Sequence, residues 1–265
     1  MKKIILYALF TTIGIANTYS QESEKLYHSK YSKLSFVFQP SFLKSNYAYN
    51  SNGTSYPSMS FRESKSIQFG FYYNFAQSGN WNFRTGLIAK DFSPSFDLNI
   101  SNDDIGLGKN YNLTDYKPYS QFIFCVPIKA EYLLPLSTKF NLAFGANINL
   151  NLITGVNDEV VTKVFVSNET DTKDIFYSKT DSQEKITFSS EISMGIQYKS
   201  KFALFQLDAY WTMLNLQTPI TGKYYIYNLE NSADVNGDFK IDPNFYGLSL
   251  IVSPRKGWIN RKTKK

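Results

Sequence analysis

The sequence predicts an all-β fold: an eight-stranded antiparallel up-and-down transmembrane β-barrel, with short periplasmic turns and long outer loops. Three observations predict it. Stretches in which every second residue is apolar recur along the chain, the residues between them are mostly small or amide-bearing, and the connections between stretches alternate in length. A period of two is typical of a β-strand with one apolar and one polar face.

The stretch Phe140–Leu152 shows this pattern most clearly, because it alternates strictly and its polar face carries asparagine, alanine and glycine but no lysine or glutamate. A strand that faced bulk water would normally carry charged residues on its polar face. Small amides suit a narrow polar interior, so the apolar face is predicted to point outward into lipid, where about 9–11 residues of a tilted strand span the bilayer. Unpaired backbone groups are costly in lipid, so the sheet must close.

Eight such strands are predicted: Leu34–Phe42, Ser66–Phe75, Trp81–Ser93, Tyr119–Leu133, Phe140–Leu152, Lys185–Tyr198, Phe202–Asn215 and Phe245–Ser253. Pro127 indicates a bulge or a local break in pairing. The connections alternate long and short, which is typical of outer-membrane barrels and predicts that both mature termini lie in the periplasm. A ten-strand alternative adds a hairpin from Val160–Val166 and Asp174–Lys179, but the second segment is polar.

The chain divides into four predicted regions. Residues 1–20 resemble a signal peptide, with Lys2 and Lys3 before a short apolar run and small residues before Gln21. Residues 21–33 form a polar periplasmic lead-in, residues 34–253 the barrel, and residues 254–265 a basic C-terminal tail. The predicted location is therefore the cell outer membrane.

The formal net charge of +6 does not indicate a nucleic-acid partner. Much of the positive charge lies in the signal and the tail, and the remaining body is slightly acidic. The tail is the one basic segment, and it either contacts anionic headgroups or a periplasmic partner, or is simply solvated. Cys125 is the only cysteine, so no intrachain disulfide is expected.

The polar strand faces carry seven charged residues that are predicted to point into the barrel. An eight-stranded barrel is just wide enough for side chains to fill it, and buried ions are tolerated when they are matched. A charge-paired plug is therefore favoured over a small selective pore. The seven residues are Arg84, Lys90, Lys129, Glu131, Lys185, Glu191 and Asp208.

Aromatic residues flank each short turn, which predicts an inner aromatic girdle at the membrane interface; ordinary strand aromatics are the alternative. The girdle residues are Phe75, Trp81, Tyr132, Phe140, Tyr198 and Phe202.

The predicted outer loops are rich in tyrosine, which suits recognition of glycans or proteins. Extension of the β-ribbons above the membrane, at Val160–Val166 and Tyr224–Asn228, is an equally good interpretation. The tyrosines are Tyr47, Tyr49, Tyr56, Tyr111, Tyr116, Tyr224, Tyr225 and Tyr227.

Asp234, Asn236 and Asp238 resemble the start of a calcium loop. Position 6 of that loop should be glycine but is Phe239, and position 12 should be acidic but is Phe245. A turn in the last outer loop is the better interpretation, and no metal site is predicted.

No catalytic or cofactor-binding residue is predicted. His28, the only histidine, falls in the lead-in, and Cys125 has no histidine partner and falls on the lumen side. A nucleophile and base held together, as acyl transfer or lipid hydrolysis usually requires, are therefore not indicated.

The segments Val126–Gly155 and Phe69–Ser93, together with the signal-like N-terminus, resemble the PorT-like family of bacterial outer-membrane β-barrel proteins. The resemblance implies an eight-stranded outer-membrane barrel, and some members of that family are linked to protein secretion. It brings no catalytic residues.

The predicted function is that of a non-catalytic outer-membrane barrel, in contact with outer-membrane lipid, that serves as an anchor or partner in an envelope or secretion assembly. The oligomeric state is not indicated. A soluble exported carrier with a lipocalin-like barrel would instead point its apolar faces inward around a ligand. A membrane-embedded lipid-modifying enzyme is the third possibility.

Overall fold

The computed structural model describes residues 30–44, 47–50, 57–106, 113–116, 121–153, 159–166, 171–183, 186–215 and 220–256. The predicted signal peptide, nearly all of the lead-in, and the tail beyond residue 256 lie outside the described residues. The elements are β1 (Leu34–Leu43), β2 (Tyr47–Asn50), β3 (Ser58–Arg62), β4 (Ser64–Ser78), β5 (Trp81–Phe92), β6 (Ser95–Asn99), α1 (Asn102–Ile105), β7 (Leu113–Tyr116), β8 (Gln121–Pro135), β9 (Phe140–Ile153), β10 (Glu159–Val166), β11 (Asp171–Gln183), β12 (Ile186–Lys199), β13 (Ala203–Asn215), β14 (Ile220–Ile226), β15 (Val235–Ile241) and β16 (Phe245–Pro254).

Eight of these strands close into an antiparallel barrel in the order β1-β16-β13-β12-β9-β8-β5-β4. The first and last strands pair directly, with Val37 opposite Ile251. These are the eight predicted strands, with ends that differ by at most three residues. The prediction of an eight-stranded closed antiparallel barrel is therefore confirmed.

The barrel is apolar outside and polar inside. On β9, Phe144, Ile148 and Leu150 are 42%, 47% and 40% exposed, whereas Asn147 and Asn149 are 6% and 1% exposed. A soluble carrier with a lipocalin-like barrel would show the reverse, so that alternative is wrong. An apolar exterior of this kind is stable against lipid rather than water. Within the described part of the chain, no helix has the length and apolar character needed to cross a bilayer.

The strand pairing is interrupted beside Pro127, as the sequence indicated. Pro127 lies opposite Asn149 in the register of β8 with β9. On its other side, the pairing of β5 with β8 has a gap between Thr85–Ile128 and Ile88–Cys125. Proline has no backbone N–H to donate, which explains why the pairing of β8 with β5 is interrupted there.

The two ends of the barrel differ. At one end, which we call the short-turn end, β4–β5, β8–β9 and β12–β13 are joined by residues 79–80, 136–139 and 200–202. The chain also enters β1 and leaves β16 at this end, where Tyr31 and Arg255 form an isolated bridge.

At the opposite end, the long connections form two further sheets. A five-stranded sheet has the order β10-β11-β14-β15-β2, and a three-stranded sheet the order β3-β6-β7. The segments Val160–Val166 and Asp174–Lys179 therefore belong to a sheet outside the barrel, where β10 pairs with β11. The ten-strand alternative is wrong. The ribbon-extension interpretation, made for Val160–Val166 and Tyr224–Asn228, agrees with β10 and, as far as Ile226, with β14.

These two sheets and α1 form a cap with its own apolar core. Phe176, Tyr224, Phe239 and Ile241 are each at most 2% exposed within it, and Phe245 of β16 joins the same cluster from the barrel. The core packs where the barrel strands end, so the cap closes the long-connection end of the barrel. The sequence had indicated mostly polar loops here.

Candidate functional site

The polar faces of the eight strands fill the barrel with side chains that contact one another. Six of the seven charged residues predicted to point inward lie in the interior, each at most 6% exposed: Arg84, Lys90, Lys129, Glu131, Glu191 and Asp208. Lys185 lies outside the described residues. Alternation along each strand places these side chains on one side of the sheet, and barrel closure brings them together.

Arg84, Lys129, Glu131 and Asp208 form a continuous ion network. Arg84 Nη2 lies 3.0 Å from Glu131 Oε2, and Lys129 Nζ lies 3.3 Å from Glu131 Oε1. Lys129 Nζ also lies 3.0 Å from Asp208 Oδ2. β8 and β13, which carry Lys129 and Asp208, are not neighbours in the sheet. This ion pair therefore crosses the interior of the barrel.

Amide side chains add hydrogen bonds to these ions, although Arg84 Nε and Nη1 are buried without a partner. Gln206 Nε2 donates to Glu131 Oε1 at 2.6 Å and to Asp208 Oδ2 at 2.9 Å, while its Oε1 accepts from Arg84 Nη2 at 3.1 Å. Asn82 Nδ2 donates to Glu131 Oε2 at 3.2 Å. Sequence reasoning did not single out Gln206 or Asn82, although both lie on predicted polar faces. Their position there was the available signal.

A second ion pair lies nearer the cap. Lys90 Nζ is 2.6 Å from Glu191 Oε1, and Asn147 Nδ2 donates to Glu191 Oε2 at 2.9 Å. β5 and β12 are not neighbours, so this pair also crosses the interior. The Lys90 ammonium lies 5.7 Å from the ring centre of Phe245, which belongs to the apolar core of the cap. The ion pair and the cap core are thus in direct contact.

Gly145 makes room for the network. A Cβ atom at this position would lie 2.5 Å from Lys129 Cε and 2.5 Å from Ser193 Oγ. Any side chain here would displace the lysine that bridges Glu131 and Asp208.

The interior is packed rather than open. Arg84 and Glu131 are 0% exposed, and Lys129 and Asp208 are 3% and 1% exposed. The layer formed by these four side chains is therefore almost completely closed to water. This arrangement holds charge in place but leaves no space there for a substrate.

The six predicted girdle residues lie at the short-turn end, five of them exposed and Tyr132 half-buried. Trp81 packs against Tyr132 at 5.2 Å between ring centres, and Phe140 against Tyr198 at 5.0 Å. These pairs lie on neighbouring strands and point away from the barrel axis, which is the position an interfacial belt requires.

The remaining predicted candidates lie in the cap or outside the described residues. Tyr224 is fully buried, which corrects the expectation of a solvent-exposed recognition residue; Tyr225, on the opposite face of β14, is 38% exposed. The side chains of Tyr47, Tyr49, Tyr56, Tyr111 and Tyr116 lie outside the described residues. Tyr227, just after β14, is half-buried.

The calcium-like segment is mostly strand rather than turn, because Val235, Phe239 and Ile241 alternate into the cap core. Asn236 and Asp238 lie in β15 opposite Tyr225 and Lys223 of β14. Among the described residues, no group of three or more histidine, cysteine or acidic side chains is arranged to hold a metal ion.

The two residues considered for nucleophilic chemistry are not brought together. Cys125 is 0% exposed on the interior face of β8. His28 lies outside the described residues.

The closed barrel, its apolar exterior and its packed polar interior define a membrane-spanning β-barrel. No protein-family model matches the sequence, and no curated protein matches it. Similar solved structures include the outer membrane protein OprG from Pseudomonas aeruginosa, 15% identical, covering 85% of this chain and 98% of that chain at a TM-score of 0.41. Neisserial surface protein A is 13% identical, covering 84% and 97% at a TM-score of 0.34.

Ail, the attachment invasion locus protein of Yersinia pestis, is 8% identical, covering 84% of this chain and 98% of that chain at a TM-score of 0.22. These TM-scores are all below 0.5. The fold of this chain therefore rests on its own strand pairing.

Proposed function

We propose that the protein is an integral outer-membrane barrel without catalytic or channel activity, which acts as an anchor or a partner in an envelope assembly. The observation that supports this best is the packed ion network across the interior. Arg84 and Glu131 are fully buried, and Lys129 bridges Glu131 to Asp208 on the far wall. A conducting pore would need a continuous path for water through this layer.

Two barriers in series support a closed barrel. The ion network fills the middle, and the apolar cap core, which includes Phe92, Phe176 and Phe245, lies above it. Moving an ion through the barrel would require both the separation of matched charges and the opening of an apolar layer. Each of these costs free energy.

The placement in the outer membrane is supported by the lipid-facing exterior and by the even number of strands with short turns at one end. Outer-membrane barrels have short periplasmic turns and longer outer loops. By this rule the short-turn end and both mature termini lie in the periplasm, and the cap lies outside the cell. The resemblance to the PorT-like family favours a secretion-related assembly. Since the interior is filled with side chains, the surfaces at the two ends of the barrel carry the interactions with partner proteins.

A lipid-modifying enzyme would need a nucleophile and a base within reach of a substrate. The interior charged groups of this barrel contact one another instead, and Cys125 is fully buried. The geometry therefore supports a non-catalytic role better.

Recordings from planar bilayers test the closed barrel. We expect the purified protein to insert without single-channel steps, in contrast to an open porin inserted under the same conditions. Insertion is verified by recovering the heat-shifted gel band, which reports a folded barrel, from vesicles of the same lipid. Reproducible conductance steps from the folded protein would contradict the proposal.

A further inference from the structure

The short-turn end of the barrel opens into a cavity of about 560 Å³. Four basic side chains line it, from the chain entering β1, from the end and turn of β12–β13, and from the chain leaving β16. They are Lys30, Lys199, Lys201 and Arg255, and we call this group the basic mouth. None of the described residues that line the cavity is acidic.

The rim of the basic mouth is held by hydrogen bonds between chain segments that are distant in sequence. Arg255 Nη1 donates to the Lys201 carbonyl at 3.1 Å, and the Tyr31 hydroxyl donates to the Ser200 carbonyl at 2.9 Å. The Lys256 backbone N–H donates to the Lys30 carbonyl at 3.0 Å. The Arg255 guanidinium and the three chain segments of the rim are therefore held in place before any ligand arrives, which lowers the entropic cost of binding.

The floor of the cavity is polar. Gln77, Asn80, Thr138 and Asn141 are among its lining residues. Lys199 Nζ donates to Asn141 Oδ1 at 3.2 Å. This hydrogen bond holds the Lys199 ammonium at the floor of the cavity.

We propose that the basic mouth binds an acidic, extended peptide segment of a periplasmic partner protein. This rests on the proposed function, because it requires the short-turn end to face the periplasm. Four basic side chains around a cavity whose described lining has no carboxylate attract clustered aspartate or glutamate. The cavity is large enough for a few residues but not for a folded domain.

An anionic lipid headgroup fits the geometry less well. Gln77, Leu133 and Asn141 line the cavity from the interior faces of β4, β8 and β9, so it opens along the barrel axis. The lipid-facing side is occupied by aromatic residues such as Trp81 and Phe140. A lipid would have to cross the rim to reach the cavity.

Binding is tested with the full mature chain in lipid nanodiscs by fluorescence anisotropy. The probe is a hexa-glutamate peptide with a neutral dye, and a hexa-glutamine peptide is the control. We expect the glutamate peptide alone to bind, with an affinity that falls about tenfold between low and physiological salt. Equal binding of both peptides, or of neither, would overturn the inference.

A matched pair of double variants locates the site. Lys30→Gln with Lys201→Gln removes two charges from the mouth, and Lys223→Gln with Lys240→Gln removes two exposed charges from the cap. We expect about a tenfold loss of affinity for the mouth variant and no change for the cap variant. All variants are first shown to be folded by the heat-shifted gel band. Equal effects of the two pairs would overturn the inference.

Two shortened chains separate the mouth from its neighbouring segments. A chain that ends at Lys256 lacks most of the basic tail. Binding retained by this chain supports the mouth as the site. Binding lost from it would assign the affinity to the tail and overturn the inference.

A chain without residues 21–29 lacks Glu22 and Glu24. Binding by this chain but not by the full mature chain would show that the lead-in occupies the mouth, which also overturns the inference.

The two proposals fail differently. Conductance steps with peptide binding intact would contradict the closed barrel and leave the mouth as a binding site. A silent bilayer without peptide binding would overturn the mouth alone.

Discussion

Glu131 contacts side chains from three different strands. Arg84 and Asn82 reach its Oε2 from β5, while Lys129 of β8 and Gln206 of β13 reach its Oε1. Removing this carboxylate leaves two buried cations with one remaining acid between them. A buried charge without its partner destabilises a protein much more than a lost surface contact does.

Glu131→Ala is expected to lower the free energy of unfolding by about 3–5 kcal/mol, because Arg84 and Lys129 lose their shared partner. Guanidinium unfolding in detergent, followed by tryptophan fluorescence, measures the change. The control is Asp97→Ala, which breaks the exposed Arg62–Asp97 pair at 3.5 Å and is expected to cost about 0–1 kcal/mol. Similar effects of the two substitutions would contradict the ion network as a stabilising element.

Burial raises the pKa of Tyr224 in the cap to about 12, with a smaller contribution from Asp238, while a backbone hydrogen bond with Met59 lowers the pKa. The folded state thus favours the neutral phenol. Its contribution to stability is complete below the ordinary tyrosine pKa of about 10 and is lost as pH rises through about 12.

Tyr224→Phe tests this titration. The phenolate absorbance difference between the wild type and Tyr224→Phe is expected to have its midpoint near pH 12. Tyr225→Phe, which removes the hydroxyl of an exposed tyrosine on the same strand, is the comparison, and it is expected to leave the Tyr224 transition near pH 12 in place. A midpoint for Tyr224 at the ordinary tyrosine value would show that it is solvated.

The interior charges were predictable from the sequence, but their partners were not. Position on the polar face follows from counting along one strand, and this placed Lys129 and Asp208 inside. Their ion pair joins strands that are not neighbours, so it depends on barrel closure and on the stagger of the strands. Neither property can be obtained from a single strand.

At the scale of elements, the barrel strands were predictable because each repeats its alternation over ten or more residues. The cap strands other than β11 are shorter. In β15, Val235, Phe239 and Ile241 alternate correctly, but Asn236, Gly237 and Asp238 favour a turn when read locally. The buried side chains favour a strand over a turn, because each gains contacts with a sheet that lies far away in sequence.

Phe239 connects the two sheets of the cap. It is 2% exposed, and its ring centre lies 5.9 Å from that of Phe61 on β3. Phe239→Ala is expected to destabilise the cap by about 3–5 kcal/mol through the cavity that it leaves. Limited proteolysis measures this as faster cleavage within residues 154–185 and 216–244, which flank β12 and β13, while the heat-shifted gel band of the barrel persists.

Tyr225→Ala is the control for this substitution, because Tyr225 lies on the outer face of the same sheet and is 38% exposed. It is expected to leave the cleavage rate nearly unchanged. If Phe239→Ala also abolished the heat-shifted band, the cap and barrel would be one cooperative unit.

At the scale of the molecule, the barrel has two chemically different ends. The cap presents sheet surface over an apolar core, whereas the short-turn end presents four basic side chains and the segments that enter β1 and leave β16. The apolar band lies between them. This polarity means that, in a single membrane orientation, the two sides of the membrane meet chemically different surfaces.

Orientation is tested with two single-cysteine labels. Asn236→Cys lies on the exposed face of the cap and Lys201→Cys at the basic mouth, while native Cys125 is fully buried. A membrane-impermeant maleimide added to intact cells is expected to label the cap cysteine, and to label the mouth cysteine only after the outer membrane is permeabilised. The opposite pattern would contradict the proposed orientation.

The pairing of β1 with β16 has a consequence for biogenesis. The strand beginning at Leu34 finds one of its two neighbours only when the strand ending at Pro254 has been synthesised. A nascent chain on the ribosome therefore has no finished barrel, and β1 and β13 each keep an unpaired edge that can recruit other chains. Contacts so far apart in sequence also slow folding. Truncation before Phe245 removes the strand that seals the cylinder, so both of these edges would stay open.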